Sequence, residues 1–499
     1  MTLHLGLARA RVGPAAALIE PPASVAACEE NRLTRARQAQ TTGPPELATA
    51  ELLSYLGRTE SDIGTVAVVA ERGDEWWRAH GAARAAIVDV DPHRAHAEYA
   101  LGASGFEAAA VLVCDAMTAE GYSTFARQSS SLDQIDTIGR FPIAQIYGDL
   151  TEALGLHRSR DEHLVEAMAR AGDADAASTL ADSITNGPEG ISVAGDFQRR
   201  VCEHSKDEAA RLNAAAAVQN KLGKCLGELL RRVATASRSG RVCLSGGLFF
   251  NTHFTTVAAS SGAFEETFVP PHPGRNGCAL GAALTVAGSA PAAVASPYLG
   301  PGYSDPQVKE ALENCKLAFD LQHEDKVIET VIRAVSRGRL VGWYHGRLEW
   351  GPRALGHRTV LADPFAPHVL DNLNGYLKKR PAYRTYGVSV PLTRLNEFFE
   401  GERASPFMQY EYRPRDPEKF RSFLPEGVKT LRVHTVDAMT PRYLRLLERW
   451  GEMSGAPVLV NTSFNGFHEP LVCSPRDAIR VFYGTGLDLL ALEDFILRK

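Results

Sequence analysis

The stretch from Val341 to Val390 reads VGWYHGRLEWGPRALGHRTVLADPFAPHVLDNLNGYLKKRPAYRTYGVSV. Seven cations and three carboxylates lie between positions 345 and 384, a local balance of +4 in a chain of formal net charge −5. The cations are Arg347, Arg353, Arg358, Lys378, Lys379, Arg380 and Arg384. Turn-forming residues alternate with apolar runs here, so these side chains do not simply line one solvated helix. Convergent arginines and lysines repel one another in an empty pocket, and the pattern therefore predicts a polyanion site. The plainer alternative is surface cations paired with nearby acids.

The whole chain has 499 residues, which is the size of two or three domains. Residues 287–305 (AGSAPAAVASPYLGPGYSD) are rich in Ala, Ser, Pro and Gly and lack an amphipathic period, which is typical of a linker. We therefore expect an N-terminal region, 1–294, and a C-terminal region, 295–499, that carries the basic stretch.

Composition limits the possible functions. A net charge of −5 and a pI near 6.3 argue against non-specific binding to nucleic acid or to a membrane surface. No apolar run reaches membrane-spanning length, and the N-terminus lacks a signal-peptide pattern. The eight cysteines are scattered without a CxxC pair, which indicates a reducing compartment. We expect a cytoplasmic protein.

Strands alternate with helices along most of the chain, and this order predicts an α/β fold. Residues 3–19 indicate two short strands around a turn, and CEENRLTRARQ then looks like the beginning of a helix. Residues 207–237 have a clear 3.6-residue apolar period, typical of a long helix. Residues 431–436 (LRVHTV) and 458–461 (VLVN) are predicted to be strands.

A glycine turn follows the strand at 241–245. Gly246 and Gly247 allow backbone N–H groups to approach an anion closely, and Asn251 lies in the turn beyond, where it could reach a ribose or a phosphate. A pair of glycines is also what an ordinary tight turn requires, so both interpretations stay open.

Two further groups have side chains that suggest chemistry. His93 and His96 share a face of a predicted helix, and Asp115 ends a strand, so the three could bind a divalent metal such as iron or zinc. Histidines three apart are equally common on a plain helix surface. Ser463 and Asn465 follow a strand, where a hydroxyl and an amide can hydrogen-bond a phosphate or nucleotide.

Longer motifs resemble a known family. GRLEWGPRALGHRTVLADP, NGYLKKRPAYR, LRVHTV and PVLVNTSFNGFHEPLVCSPRDAI resemble, in order and spacing, the C-terminal domain of the O-carbamoyltransferases of antibiotic and nodulation-factor biosynthesis. Weaker likeness runs through CEENRLTR, HRAHAEYALGASGF, VLVCDA, CLSGGLFFN and HPGRNGCALGAAL. The likeness covers nearly the whole chain.

The resemblance implies an actin-like (Hsp70-like) ATPase fold of two α/β lobes, followed by a YrdC-like α/β domain. It implies that the C-terminal domain makes carbamoyl adenylate from carbamoyl phosphate and ATP, with Mg²⁺ as a companion of ATP. The N-terminal domain then passes the carbamoyl group to a hydroxyl of a small molecule, using a bound metal, usually iron. A homodimer or a partner subunit could take part.

The resemblance also assigns residues. The positions that match the family's adenylate-forming site are Arg353, Lys378, Arg380, Arg384, Arg432, Ser463 and Asn465. Thr430 is a further candidate for binding nucleotide or substrate. Fixed cations there would stabilise the charge that develops on the phosphates during nucleotidyl transfer.

The N-terminal half departs from the family pattern. Pro92 stands where the family has the first of two metal-binding histidines four residues apart, and Arg275 stands where it has an aspartate. His163-Leu164 and Val12-Gly13 also replace a Gly-Lys and a His-Asp pair. The resemblance therefore implies a degenerate metal site, with iron or another divalent metal doubtful. Transfer could proceed without metal, to an amine, or with help from a partner subunit.

Two other classes of function remain. A catalytically reduced homologue could bind nucleotide and act as a scaffold or a regulatory subunit of a biosynthetic complex. A small-molecule kinase of the actin-like fold would explain the glycine turns but not the C-terminal motifs. The nucleotide product separates the three classes.

Overall fold

The computed structural model describes residues 2–10, 13–36, 43–69, 85–116, 122–127, 131–135, 138–288, 290–401 and 403–499. Val12, one of the departures from the family pattern, lies outside this set. The chain divides into two compact units, Met1–Glu30 with Gln38–Ser296, and Asn31–Arg37 with Pro297–Lys499. The first segment of unit 2 contains a single helical turn, α1 (Asn31–Thr34). The division after residue 296 is close to the expected one at 294/295, whereas the membership of Asn31–Arg37 was not expected.

Unit 1 contains two five-stranded sheets of the same design. The first has the order β3-β2-β1-β4-β5 and the second the order β8-β7-β6-β11-β12. In each sheet the first three strands in sequence are antiparallel neighbours, and two later strands add in parallel beside the first. This repeated topology confirms the expected actin-like core with two α/β lobes.

The strands and helices of unit 1 alternate as the sequence predicts. Its strands are β1 Leu3–Ala10, β2 Gly13–Glu20, β3 Ser24–Glu29, β4 Ile63–Val69, β5 Ala86–Val90, β6 Ala109–Cys114, β7 Tyr122–Arg127, β8 Leu132–Gln134, β9 Ile184–Gly187, β10 Gly190–Val193, β11 Arg241–Ser245 and β12 Glu266–Phe268. Its helices are α2 Glu46–Leu56, α3 Pro92–Ser104, α4 Ile143–Ala153, α5 Glu162–Ala171, α6 Ser178–Ala181, α7 Phe197–Glu203, α8 Glu208–Ser237, α9 Thr252–Ser260 and α10 Cys278–Ala287.

The sequence explains why α3 and α10 lie where they do. Asp91 caps α3 by accepting a hydrogen bond from the Arg94 N–H at 2.9 Å, and Pro92 occupies the first helical position, where no N–H is needed. In α10, Gly281 lies so close to α3 that a Cβ at this position would be 1.8 Å from the Ala95 carbonyl oxygen. The backbones of the two helices therefore touch, which fixes the position of α3 and its histidines.

One expectation for the N-terminus is wrong. The segment CEENRLTRARQ does not begin a helix at its start, because Cys28 pairs with Ala16 in a third antiparallel strand, β3. The helix is limited to α1. Burial of the β3 residues decided the structure of this segment, and the local sequence did not show it.

Unit 2 is built on one nine-stranded mixed sheet of order β13-β21-β20-β14-β15-β19-β16-β18-β17. Its strands are β13 Asp320–Leu321, β14 Val341–Tyr344, β15 Arg358–Ala362, β16 Gly387–Pro391, β17 Glu411–Tyr412, β18 Leu431–Val436, β19 Leu459–Ser463, β20 Leu489–Leu492 and β21 Phe495–Arg498. Its helices after α1 are α11 Asp305–Asn314, α12 Glu324–Val335, α13 Val369–Asn372, α14 Leu395–Phe398, α15 Pro441–Ser454 and α16 Pro475–Gly484. Both units are thus mixed α/β, as expected.

The core of unit 2 lies between this sheet and the helices α12 and α15. Trp343 from β14 and Trp450 from α15 are almost fully buried there, together with Tyr443. Each tryptophan also donates its indole N–H to a backbone carbonyl, Trp343 to Gly356 at 2.9 Å and Trp450 to Val458 at 3.0 Å. These bonds let large side chains fill the core without leaving a buried donor unpaired.

Within the described ranges, no helix combines the length and the apolar character that crossing a membrane would require.

Candidate active site

The expected adenylation-site residues of unit 2 gather at one end of the nine-stranded sheet. In the antiparallel pair β15–β19, Thr359 lies opposite Ser463, so the beginning of β15 and the end of β19 share an edge. Gly387 at the start of β16 lies opposite Asn461 of β19. Val388 pairs with Val433, which places Arg432 at the same end of β18. The loops that carry the expected residues therefore meet at this edge, which we call the basic edge.

Lys378 has an unusual local setting. It ends a π-helical turn, Leu373–Lys378, and is followed by Lys379 in the left-handed conformation with φ 46°. π-Helical turns occur frequently at functional sites. The Lys378 side chain is buried, at 4% exposure, and its ammonium group donates to the carbonyl oxygens of Ser463 at 2.5 Å and Asn465 at 3.2 Å.

The loop after β19 is organised around the same ammonium group. Lys378 Nζ also donates to Asn465 Oδ1 at 2.5 Å, and that oxygen accepts a second hydrogen bond from the Ser463 hydroxyl at 2.8 Å. The Asn465 amide nitrogen donates to the Glu469 carbonyl at 2.6 Å. The structure thus brings together three of the expected residues, Lys378, Ser463 and Asn465.

Arg380 and Arg384 lie around a buried tyrosine. The Arg380 guanidinium carbon lies 5.0 Å from the centre of the Tyr386 ring. Burial raises the pKa of Tyr386 to about 12, against the opposing effect of the positive charges of Arg380 and Arg384. The Tyr386 hydroxyl donates to Asn374 Oδ1 at 2.5 Å. Asn374 belongs to the π-helical turn that ends at Lys378. The bond therefore links the tyrosine beside the two arginines to the turn that carries the lysine.

Arg432 and Thr430 lie where β18 meets the short edge strand β17. Arg432 is opposite Glu411 in the ladder, and the Thr430 hydroxyl donates to Glu411 Oε2 at 3.0 Å. Both residues are half-buried. Glu411 of β17 therefore lies beside two residues that are expected to contact substrate.

Arg353, also half-buried, lies in a loop that a buried acid holds in place. Glu349 is 2% exposed, and its Oε1 accepts hydrogen bonds from the backbone N–H groups of Leu355 at 2.9 Å, His357 at 3.0 Å and Arg358 at 2.9 Å. Three donors on one carboxylate oxygen fix the course of the loop on both sides of its turn. Sequence reasoning missed this role, although a lone acid within a run of cations and glycines was a signal for it.

Two of the seven cations of the basic stretch have structural contacts instead. Arg358 is fully buried, donates to the carbonyls of His345 at 2.8 Å and Gly346 at 2.9 Å, and stacks on the Tyr344 ring at 3.4 Å. Arg347 donates to the carbonyls of Leu299 at 2.6 Å and Gly300 at 2.9 Å. Arg358 has no exposed surface from which to contact a bound polyanion, so the expectation that the whole cluster converges on a polyanion is wrong for this residue. Arg347 is half-buried, and its place in a polyanion site stays a prediction.

The glycine turn of unit 1 is shaped by packing. Gly246 has φ 102°, and a Cβ at this position would lie 2.0 Å from the Cys114 carbonyl oxygen, so only glycine fits. Its N–H donates to the Pro273 carbonyl at 2.7 Å. Gly247, which is exposed, begins a single 3₁₀ turn with open space around it. Gly246 is thus explained without an anion, and anion binding by the turn stays a prediction.

Asn251 caps α9. Its Oδ1 accepts from the His253 N–H at 3.0 Å, and its amide nitrogen donates to the Tyr147 hydroxyl at 3.0 Å and to Gln219 Oε1 at 2.8 Å. The side chain is 6% exposed. The amide is engaged in a helix cap and a buried network, and its contact with a ribose or phosphate likewise stays a prediction.

His96 and Asp115, two of the three expected metal ligands, lie together in unit 1. His96 Nε2 is 3.3 Å from Asp115 Oδ2, and His96 Nδ1 is 3.0 Å from the Ser245 hydroxyl. Arg275 Nη1 lies 3.8 Å from the same Asp115 oxygen. All four side chains are buried, with exposures of 0% for His96 and Ser245, 4% for Asp115 and 9% for Arg275. We call them the Arg275 cluster.

The residues present do not fit the metal that the family resemblance implies. No three His, Cys, Asp or Glu side chains in the described part of the chain come together as a metal-binding group. The expected set of His93, His96 and Asp115 is therefore not assembled, although His93 is buried on the same helix. Pro92 offers no ligand, and Arg275 brings a positive charge to the carboxylate. At an effective dielectric constant of about 20, a guanidinium would repel a divalent ion 4 Å away by about 8 kcal/mol.

Comparison with known proteins assigns the chain to a family. Residues 65–284 match the family model of the carbamoyltransferase N-terminus, and residues 332–499 match that of the carbamoyltransferase C-terminus. The nodulation protein NolO of Bradyrhizobium diazoefficiens is 31% identical over 82% of this chain and 79% of its own length. The chain belongs to the carbamoyltransferase family.

Two further relatives have similar levels of identity. The nodulation protein NolNO of Sinorhizobium fredii is 28% identical over 97% of this chain and 78% of its own length. A 3'-hydroxymethylcephem-O-carbamoyltransferase of Amycolatopsis lactamdurans is 29% identical over 60% of this chain and 56% of its own length. The family likeness thus extends over both units.

Proposed function

We propose that this protein is an ATP-dependent carbamoyltransferase with two half-reactions. Unit 2, which we take to have a YrdC-like fold, makes carbamoyl adenylate from carbamoyl phosphate and ATP. Unit 1 passes the carbamoyl group to a hydroxyl or an amine of a small natural-product intermediate. The observation that supports this most directly is the convergence of Lys378, Arg380 and Arg384 with Ser463 and Asn465 at the basic edge.

The adenylation step transfers a nucleotidyl group. Carbamoyl phosphate first gives carbamate and inorganic phosphate with the consumption of water. An oxygen of carbamate then attacks the α-phosphorus of ATP, the bond from that phosphorus to the bridging oxygen breaks, and pyrophosphate leaves with the electron pair. Negative charge grows on the pyrophosphate in the transition state. Preorganised cations at the basic edge would stabilise that charge without reorganising.

The residues of the basic edge have distinct proposed roles. Lys378, Arg380 and Arg384 bind the phosphates of ATP and carbamoyl phosphate, and Mg²⁺ carried by ATP would add charge neutralisation. Arg353 and Arg432 complete the clamp from the neighbouring loops. Ser463, Asn465 and Thr430 contact the adenylate. Each charge-assisted hydrogen bond contributes about 1.5–3 kcal/mol.

The nature of the acceptor is inferred from relatives. One relative carries the name of an enzyme that carbamoylates a hydroxymethyl group on a cephem, and others are nodulation proteins. A small-molecule hydroxyl is therefore the first acceptor class to test, and an amine, which needs less activation, is the second. A homodimer or a partner subunit could complete the transfer site. We also propose a cytoplasmic location, which agrees with eight cysteines that form no disulfide.

Two alternatives predict different nucleotide products. A scaffold or regulatory subunit would bind ATP without consuming it, and a kinase would release ADP. The proposed reaction releases AMP, through breakdown or transfer of the adenylate, together with pyrophosphate. All seven positions that match the family's adenylate-forming site are retained, namely Arg353, Lys378, Arg380, Arg384, Arg432, Ser463 and Asn465. This favours the enzyme, because in a scaffold the departures from the family pattern would have spread across both units.

The nucleotide product is tested with ATP and carbamoyl phosphate, separated by ion-exchange chromatography. We expect AMP, and we expect Lys378→Met to lower its rate about 10²–10³-fold, the usual effect of removing one donor that stabilises a transition state. Lys309→Met is the matched control, because Lys309 is exposed on α11 and pairs only loosely with Glu313 at 3.6 Å. Formation of ADP would favour the kinase, and an unchanged ATP pool would favour the scaffold.

A further inference from the structure

The Arg275 cluster carries its own positive charge at a buried position. Asp115 Oδ2 lies 3.3 Å from His96 Nε2 and 3.8 Å from Arg275 Nη1, so the carboxylate is held between an imidazole and a guanidinium. The second imidazole nitrogen is 3.0 Å from the Ser245 hydroxyl, which donates to the Pro273 carbonyl at 3.3 Å. The donor atoms that would face a metal therefore face one another and Arg275.

The position of Arg275 is fixed by the backbone around it. It begins a single 3₁₀ turn, Arg275–Gly277, that leads into α10. A Cβ at Gly277 would lie 2.1 Å from the His272 carbonyl oxygen, so this turn cannot shift away from its own loop. The backbone of Arg275 is therefore held in place, and its side chain, only 9% exposed, lies beside the carboxylate where a metal ion would have to enter.

A second observation indicates what the site binds. Asn276, next to Arg275 in the same turn, is 1% exposed, and neither its amide oxygen nor its amide nitrogen has a hydrogen-bond partner among the described residues. Buried amides are normally satisfied, and one with both groups unpaired points to a ligand or an ordered water molecule. A primary amide can exchange two hydrogen bonds with a carbamoyl group, since each has an N–H donor and a carbonyl acceptor.

We propose that the transfer centre of unit 1 works without a bound metal ion. The Arg275 guanidinium supplies the positive charge toward a phosphate-linked carbamoyl group, and the Asn276 amide recognises the carbamoyl end. This rests on the proposed function for the identity of the ligand, whereas the exclusion of metal by Arg275 stands without it.

The metal is tested first, on the full-length protein. Purified protein is incubated with Fe²⁺ or Zn²⁺ under anaerobic conditions, desalted and analysed by mass spectrometry for metal content. We expect less than about 0.1 metal per chain, and we expect the double variant Pro92→His/Arg275→Asp to gain about one metal per chain. Arg275→Lys, which keeps the charge, should stay metal-free. One metal per native chain that is lost in His96→Ala would overturn the proposal, even if the double variant fails to fold.

The ligand is tested by calorimetric titration with carbamoyl phosphate. The titrated protein, called here the Lys378→Met protein, carries Lys378→Met together with Arg380→Ala and Arg384→Ala. These substitutions remove the three cations proposed to bind carbamoyl phosphate at the basic edge, so that the remaining binding reports on unit 1. We expect Asn276→Leu, which keeps the size but removes both polar groups, to weaken binding at least tenfold, and Arg275→Leu to abolish it. Equal affinity in all three, or no binding by the Lys378→Met protein, would contradict the ligand assignment. Because no turnover is needed, failure here is distinguishable from failure of adenylation.

Discussion

Glu349 is the single residue whose loss should most disturb the basic edge without removing a cation. Its Oε1 accepts three backbone N–H groups of the loop that carries Arg353. Glu349→Gln keeps an oxygen but removes the charge that makes these bonds strong. We expect a loss of about 2–4 kcal/mol in the free energy of unfolding and a higher KM for ATP. Urea unfolding and steady-state kinetics measure the two effects.

The matched control for this prediction is Glu448→Gln, because Glu448 is exposed on α15. It should leave both the unfolding curve and KM unchanged. If Glu349→Gln behaved like the control, the loop would not depend on its carboxylate, and the positioning of Arg353 would need another explanation.

His434 provides a prediction about pH. It is 2% exposed, and its Nδ1 lies 3.0 Å from the Ser389 hydroxyl. Burial lowers the pKa of His434 from 6.5 to about 3. The folded protein therefore keeps this histidine neutral while the unfolded chain takes up a proton below about pH 6.5. Its contribution to stability is present above that pH and is lost progressively as pH falls toward 3.

The corresponding variant is His434→Gln, which removes the titration and retains polar atoms. Between pH 7.5 and pH 5, the unfolding free energy of the native protein should fall by about 2 kcal/mol more than that of the variant. The figure follows because pH 5 lies about 1.5 pH units below the unfolded-state pKa and each unit corresponds to about 1.4 kcal/mol. Urea unfolding at both pH values gives the difference. Equal losses in the two proteins would mean that His434 is protonated in the folded state at pH 5.

At the scale of elements, the short segment with α1 supports the loop after β19. Arg35 donates to the carbonyls of Leu471 at 2.6 Å and Pro470 at 2.8 Å. It also pairs with Asp477 at 3.4 Å and with Glu469 at 3.8 Å. The Glu469 carbonyl accepts a hydrogen bond from the Asn465 amide nitrogen. Arg35 therefore supports the proposed adenylate site indirectly, by holding this loop.

Removing this anchor should affect both stability and binding. We expect Arg35→Ala to lower the unfolding free energy by about 2–3 kcal/mol, because two carbonyls and two carboxylates lose a partly buried cation. The KM for ATP should rise about five- to tenfold with a smaller change in kcat. Arg476→Ala, at an exposed arginine of α16, is the control. A normal KM for ATP in Arg35→Ala would show that the loop keeps its shape without the Arg35 side chain.

The π-helical turn Leu373–Lys378 is a feature that the sequence did not predict. The turn has the sequence LNGYLK, which contains no apolar period that distinguishes a π-helical turn from an α-helical one. The turn is bound at Asn374 by Tyr386 and at Lys378 by the β19 loop. Both partners are distant in sequence, so local propensity could not predict the geometry.

At the scale of the whole molecule, most of the architecture is predictable from the sequence. Alternating strands and helices, the long α8 and the linker near residue 295 were visible as apolar period and composition. The third strand, β3, was missed because its pairing with β2 outweighs the polar residues that follow it. The repeated strand order of the two sheets in unit 1 is a tertiary property, and the sequence indicated it only through the family resemblance.

The candidate site was partly readable. Spacing and resemblance indicate Lys378, Ser463 and Asn465 as site residues, and the structure brings them together. Arg347 and Arg358 look the same in sequence as the other cations, and their contacts with backbone carbonyls become apparent only in the structure. Glu349 and Arg35 act through loops that long-range packing creates, which a single sequence does not reveal.

The central claim for the whole molecule is that the basic edge of unit 2 activates carbamate with ATP. Pyrophosphate release from ATP by the purified full-length protein, with and without carbamoyl phosphate, tests this most directly. Arg384→Ala is the informative variant, with Arg449→Ala at an exposed position of α15 as its control. We expect release that requires carbamoyl phosphate, falls at least about 10²-fold in Arg384→Ala and persists in Arg449→Ala. Folded, ATP-binding protein that releases no pyrophosphate under any of these conditions would contradict the claim.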